Sequence, residues 1–297
     1  MTHRRAVALM VCVTLMWSIA GIVTRHLDSA HGFELTFWRS LFNALALLLL
    51  LGWLQGPARL WRNLRDGGRP LWVSGLCWCV MYTAFMLAIS LTTVANVLVT
   101  MALAPLLTAV AARVALGHRL ALHTWVAIVV AGAGIGWMYG AELGGAEPRH
   151  WIGTAVALCV PIAAAVNWTL LQHVQQRRCD DPPDMLAPVL LGALLSAVLT
   201  LPLALPLTAT PHDLALLGLL GVVQLAIPCL MAVRVARVLS APEVSLLGLL
   251  EVVFGVLWVW LGSSESPSAA VLGGGALVLA ALAANEALAL RGVARAT

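Results

Sequence analysis

One carboxylate, Glu251, stands in the stretch GLLEVVFGVLW, Gly248 to Trp258, among residues that carry no charge. An ionised acid in apolar surroundings costs several kcal/mol, so it must be protonated, paired or turned toward water. Each of these states suits a carboxyl that takes up and releases a proton as its access changes, which is the chemistry of proton coupling. A structural role competes: the same acid would hydrogen-bond backbone groups freed by a helix break at Pro105 on an opposing segment. The second charge set inside an apolar run is Arg39, in TFWRSLFNAL, Thr36 to Leu45. Its planar guanidinium fork is shaped to recognise the carboxylate of a small molecule. Alternatively the long side chain reaches outward to the polar boundary and anchors its helix.

Uncharged groups with hydrogen-bonding or stacking capacity occur in other apolar runs. Trp17, Ser18, Trp78, Tyr82 and Gln224 are the leading candidates for a substrate site, followed by Asn96, Asn167 and Trp168. Trp78 and Tyr82 are four residues apart, so on a helix they share one face and can form a stacking wall. Ordinary helix packing is the competing explanation for each of them. Pro105 and Pro228 lie inside apolar runs, where proline removes an intrahelical hydrogen bond, and are expected hinges; Pro161 is a third expected kink.

No constellation for covalent or metal chemistry accompanies these residues. The histidines sit at or near the polar connections, and neither HExxH nor a nucleophile–base pattern occurs at depth. The six cysteines have no metal-ligand or disulfide spacing and are expected to pack. No metal, cofactor or catalytic residue is therefore expected, and the chain is not read as an enzyme. GAGIG, Gly132 to Gly136, looks like a dinucleotide loop but lies within an apolar run with no preceding strand, which argues against nucleotide binding. Gly132 and Gly136 are expected to form a small-xxx-small packing face, with Gly273 to Gly275 offering a similar surface.

The elements that must hold these groups are membrane helices. Hydrophobic residues make up 61% of the chain and charged residues 10%, far outside the range of soluble domains. Apolar runs long enough to cross a hydrocarbon core of about 30 Å recur throughout. Ten spans are expected: Ala6 to Thr24, Phe33 to Trp53, Pro70 to Leu91, Val94 to Leu116, Leu122 to Tyr139, Trp151 to His173, Met185 to Leu207, Asp213 to Ala236, Val244 to Leu261 and Ser268 to Leu290. The first run is longer than a typical signal core and lacks a small-residue cleavage site, so it is expected to stay as a helix. Most remaining tryptophans, among them Trp53, Trp72, Trp125, Trp151 and Trp260, fall at span ends and suit interfacial belts.

All 17 basic residues are arginine, and they alternate between connections. Only Arg25, Arg39 and Arg149 fall on one side; the others, including Arg4, Arg5, Arg59, Arg62, Arg65 and Arg69, fall on the opposite side. The positive-inside rule then places both termini in the cytoplasm of a bacterial-type inner membrane. The net charge of +4 is accounted for by this topology signal, so no nucleic-acid partner is expected. The cluster from Arg59 to Arg69 is expected beside anionic lipid headgroups. Dividing the chain near AELGGAEPRH, Ala141 to His150, leaves residues 1–140 and 151–297 with five spans each. Five is odd, so the second half enters the membrane from the opposite side, an inverted repeat of the kind that builds many secondary transporters. Local echoes agree: AGAGIGW (Ala131 to Trp137) with GGGALVL (Gly273 to Leu279), and LAP (Leu103 to Pro105) with LEV (Leu250 to Val252).

Four motifs resemble one family. MWSIAG (Met16 to Gly21), TFWRSLFNAL with Arg39, APLLTAVAARVALGHRL (Ala104 to Leu120) and GLLEVVFG are similar to the ten-helix EamA-domain exporters of the drug/metabolite transporter superfamily. Two positions depart from that family's pattern: His118 replaces a Glu and Val252 replaces a Pro. The resemblance implies an all-α membrane protein of two inverted five-helix repeats that exports amino acids, related metabolites or drugs, often against a proton gradient. The expected function is therefore secondary active export of a small metabolite, with an amino acid as the leading substrate and Glu251 coupling protons. A lipophilic-cation exporter is the first alternative and a channel the second, although the polar residues are too scattered for a continuous pore. The expected partners are a small-molecule substrate, the lipid bilayer and a proton gradient, and a homodimer is allowed for.

Overall fold

The computed structural model describes residues 1–24, 26–30, 32–92, 94–117, 120–139, 148–176, 184–262 and 269–296. Arg25, His118, Arg119, Arg177, Arg178, Cys179 and most of the Ala141 to His150 connection lie outside them. Among the described residues all regular structure is helical. The order is α1 (His3–Trp17), α2 (Ala20–Thr24), α3 (Gly32–Gln55), α4 (Pro57–Asp66), α5 (Gly68–Leu91), α6 (Val94–Met101), α7 (Ala104–Leu116) and α8 (Leu122–Tyr139). It continues with α9 (Pro148–Gln176), α10 (Ala187–Ala204), α11 (Pro211–Leu219), a π-helical turn (Leu220–Ala226), α12 (Ile227–Val235), α13 (Ala241–Gly248), α14 (Leu250–Gly262) and α15 (Ala269–Ala296).

Among the described residues seven helical stretches are long and apolar enough to cross a membrane: His3–Thr24, Gly32–Gln55, Gly68–Leu91, Val97–Leu116, Trp151–Gln176, Ala187–Ala204 and Pro211–Val235. Leu122–Met138 and Ala269–Asn285 are shorter apolar helices. The chain is thus a multi-pass membrane protein. Trp53 and Trp151 are 83% and 71% exposed at helix ends, as residues of an interfacial belt would be.

Several spans are interrupted, two of them beside Pro105 and Pro228, where a kink is expected, and two where the sequence reading has continuous helix. The first breaks between Trp17 and Ala20, and the fourth between Met101 and Ala104. Pro105 explains the latter: it brings no N–H and its ring clashes with the carbonyl four residues back, so α6 ends at Met101 and α7 restarts with the proline in its first turn. The span containing Glu251 breaks at Leu249, where i→i+3 bonds from Leu249 to Leu246 and from Val252 to Leu249 replace the α-helical pattern. In the eighth span the ladder widens into the π turn just before Pro228, which cannot donate to Gln224. Pro161, by contrast, lies within α9, which runs unbroken through it.

Close approaches between helices are made at glycines. A Cβ at Gly192 of α10 would overlap Trp78 Cβ and lie 2.8 Å from the Gly75 carbonyl of α5. One at Gly221 would lie 2.6 Å from Phe42 Cβ and 2.9 Å from the Arg39 carbonyl of α3. The α8–α15 seam corrects the sequence reading. A Cβ at Gly132 or Gly136 would meet nothing within 4 Å, whereas one at Gly134, two residues along and roughly 200° around the helix, would lie 2.8 Å from the Gly274 carbonyl. Of the Gly273 to Gly275 run, Gly273 sits under the Trp137 ring and Gly275 faces open space.

Candidate functional site

The broken and widened helices converge on a chamber of about 140 Å³. Discontinuous helices at mid-membrane are where transporter sites form, because freed backbone groups and half-helix ends face the cavity. Here Met101 and Ala104 flank the break between α6 and α7, and Gly248, Leu249 and Glu251 flank that between α13 and α14; all five line the chamber. The π turn contributes Gln224.

Aromatic rings form one wall. Trp78 and Tyr82 stack with centroids 5.6 Å apart and planes inclined by 28°. Trp168 meets the Trp78 ring edge-on at 5.7 Å and 89°. Trp17, Met81 and Phe85 extend the apolar lining.

Arg39 is 1% exposed to the outside, and its side chain reaches the chamber from α3. Nη2 donates to the Tyr82 main-chain oxygen at 3.0 Å, while Nε has no partner. Glu251 lies in the first turn of α14, and among the described residues its side chain makes no hydrogen bond and no ion pair within 4.0 Å. Arg39 and Glu251 therefore share one chamber without neutralising each other by contact, although each lies within the other's electrostatic reach. Gln224 Nε2 donates at 3.2 Å to the Trp17 carbonyl, a group released by the end of α1, and Gln224 Oε1 is left free. Trp78 Nε1 and Ser245 Oγ are likewise buried without partners. A bound molecule thus meets a cation, an acid, free donors and free acceptors on an aromatic wall. The arrangement suits binding of a small amphipathic molecule with separate charged ends.

Trp17, Arg39, Trp78, Tyr82, Trp168, Gln224 and Glu251 are brought together at this chamber. Asn167 is not among its lining residues; it is fully buried and accepts at 2.6 Å from Ser74 Oγ, tying α9 to α5. Ser18 is also elsewhere: its hydroxyl donates to the Leu15 carbonyl at 2.7 Å and accepts from Trp258 Nε1 at 2.9 Å, bracing the break after α1 against α14. The Asn96 side chain lies outside the described residues. Pro105 and Pro228 shape the chamber's breaks without lining it. Sequence reasoning passed over Ser245, Cys229, Met81 and Trp258. Only Trp258 carried a signal, as an indole within the same apolar run as Glu251. Among the described residues no group of three or more His, Cys, Asp and Glu could hold a metal ion.

Residues 4–140 match the EamA-like transporter family. No curated protein matches the chain. One solved crystal structure is 20% identical in sequence and superposes with a TM-score of 0.74 over 98% of this chain and 99% of its own, a likeness that shows the fold.

Proposed function

Since residues 4–140 are an EamA-like transporter family domain, we propose that the protein is a secondary active exporter of a small metabolite, an amino acid or related compound, driven by a proton gradient. The observation that carries this reading is the chamber in which Arg39 and Glu251 are both present and not paired with each other. A carboxyl without a fixed partner is free to exchange protons with whichever side the chamber faces. A guanidinium with a free N–H can hold the substrate's carboxylate, while the Trp78, Tyr82 and Trp168 wall takes its apolar part.

The packing supports ten spans in two inverted halves, residues 1–140 and 151–297. The seven long stretches, the shorter apolar segments Leu122–Met138 of α8 and Ala269–Asn285 of α15, and the broken pair α13/α14 supply that number. Exchanging each span for the one five places on maps the contacts onto each other. α5 on α9 corresponds to α12 on α1, α10 on α5 to the π turn on α3, and α7 on α9 to α14 on α1. The pairs α3–α10, α7–α13 and α8–α15 map onto themselves. Such symmetry lets the two halves exchange conformations, which is the basis of alternating access. Pro105 and Pro228 mark the hinges. Both termini face the cytoplasm of an inner, plasma-type membrane in this reading.

The test is uptake of a labelled amino-acid panel into inside-out vesicles with an acidic lumen, comparing wild type with Glu251→Gln. Wild type accumulates a substrate; the variant retains exchange of that substrate and loses gradient-driven accumulation. Normal accumulation by the variant overturns the coupling role. Accumulation of lipophilic cations instead of amino acids, with protons competing at Glu251, assigns the same chamber to drug export.

A further inference from the structure

α4 does not belong to the bundle of spanning helices. It follows α3 after a tight turn at Gly56, whose φ of +82° favours glycine, and begins with Pro57 in its first turn. One side faces the protein: Leu60 is 4% exposed, and Leu64 packs half-buried against the core. Asn63 Nδ2 donates to Gln55 Oε1 at 3.1 Å and to Asp184 Oδ2 at 2.9 Å. Asp184 in turn accepts from the Leu186 amide at 3.0 Å. The helix is therefore pinned between the end of α3 and the start of α10.

The opposite side is different in kind. Arg59, Arg62 and Arg65 recur every three residues, which sets them along one face, and all three are exposed. Among the described residues their one ion-pair partner is Asp66, 3.9 Å from Arg65 with both side chains solvent-facing, too weak a pair to satisfy the face. Trp61 projects beside Arg65 and is 67% exposed. Trp53 and Trp72, exposed on the helices before and after α4, set this segment at the level of the aromatic belt.

We propose that this face of α4 is a docking surface for the headgroups of anionic phospholipids. Charge complementarity and level both point there. A helix lying in the interfacial plane turns its cationic side to the phosphates and its ring-bearing flank to the acyl boundary. Guanidinium forks match phosphate oxygens in a way that a point charge does not. A water-soluble phosphate would leave Trp61 and Trp53 without an apolar partner, so the lipid is the occupant that uses the whole surface. Through Asn63, a held α4 steadies the neighbouring ends of α3, which carries Arg39, and of α10. The proposal rests on the membrane location alone and does not depend on the transported compound.

The experiment is native mass spectrometry of the full-length protein in mixed micelles of equimolar phosphatidylglycerol and phosphatidylcholine, counting retained lipids. Each arginine at an anionic surface contributes about fivefold. Wild type is expected to retain phosphatidylglycerol in at least tenfold preference, and the Arg59→Gln/Arg62→Gln/Arg65→Gln variant to fall below threefold. Arg234→Gln/Arg237→Gln, which removes two exposed arginines outside α4, is expected to lose much less of the preference than the α4 variant. The triple lysine variant keeps the charge and loses the fork, and is expected in between. Should the triple glutamine variant not purify, Arg59→Gln and Arg62→Gln alone must each reduce the preference severalfold. Unchanged preference in these variants, or an equal loss in the Arg234/Arg237 control, overturns the proposal. So does displacement of phosphatidylglycerol by millimolar inorganic phosphate, which would assign the face to a soluble anion.

Discussion

Two acids at the rim and one in the chamber put the same functional group to opposite uses. Asp213, fully buried in the first turn of α11, accepts from the amides of Asp28 at 2.7 Å, Ser29 at 3.1 Å, Ala30 at 3.2 Å and Thr210 at 3.1 Å. Glu34, in the first turn of α3, accepts from the Thr208 amide at 2.7 Å, the Thr208 hydroxyl at 2.8 Å, the Ala209 amide at 2.8 Å and the Trp38 indole at 3.3 Å. The two clasps are reciprocal: an acid on α11 holds the connection before α3, and an acid on α3 holds the connection before α11. Helix N-termini favour negative charge at both places. Glu251 also stands in a first turn, yet no described residue bonds to its side chain. An acid whose hydrogen bonds are all made fixes structure; an acid with unused lone pairs is available to a proton or a ligand.

Glu251→Gln tests the contrast with the largest expected effect. In the vesicle assay, gradient-driven accumulation falls at least tenfold while thermal unfolding stays near wild type, because no hydrogen bond among the described residues is removed. A variant that unfolds early yet transports normally would place Glu251 with the rim acids and erase the distinction.

The geometry between the two regions is held by Gly221. Its backbone touches α3 at Arg39 and Asn43, so the methyl group of Gly221→Ala must displace one helix against the other. Overpacking of this kind costs about 3 kcal/mol. Because Arg39 moves with α3, substrate KM is expected to rise along with the loss of thermal stability. A stability loss with unchanged KM would separate the chamber from the packing beneath it.

Asp213→Ala should show the reverse of Glu251→Gln. Four amides lose their acceptor, and rehydration at the rim recovers part of the loss, leaving about 2 kcal/mol of destabilisation. Substrate KM stays as in wild type. Glu34→Gln keeps an acceptor oxygen and is expected to lose less. A change of KM with full stability would mean that the clasp belongs to the transport cycle and does more than tie connections together.

Much of this was legible in the sequence because a bilayer imposes simple demands. Apolar length marks the long helices that can cross a membrane. Intramembrane charges stood out at Glu251 and Arg39 because so little else there is polar. The break at Pro105 follows from its missing N–H, but those after Trp17 and at Leu249 have no proline, and tertiary contacts decide them. The Gly132/Gly136 face was misread because spacing alone allows two registers, and only the position of α15 selects Gly134. Thr210 and Asp213 form a capping box that pattern reading can find. The hold of Asp213 on residues 28–30 joins distant segments and leaves no local trace. Ser245 and Cys229 resemble ordinary packing residues until a chamber opens beside them.

The smallest effect separates bracing from binding at the break after α1. Trp258 Nε1 donates to Ser18 Oγ at 2.9 Å, and Gln224 Nε2 donates to the Trp17 carbonyl at 3.2 Å, so two side chains hold one interruption. Trp258→Phe removes the first bond and keeps a ring in place. Ser18 Oγ still donates to Leu15, so nothing is left wholly unsatisfied, and the loss is about 1 kcal/mol. Transport should proceed at near wild-type KM, since Trp258 is not among the chamber's lining residues. Gln224→Leu removes a bond of similar strength and also the free Oε1 in the chamber, so its stability loss is comparable while its KM rises. Equal KM shifts in both variants would mean that the break itself, rather than the group facing the chamber, governs substrate affinity, and the division between rim and chamber would then have to be redrawn around the interrupted helix.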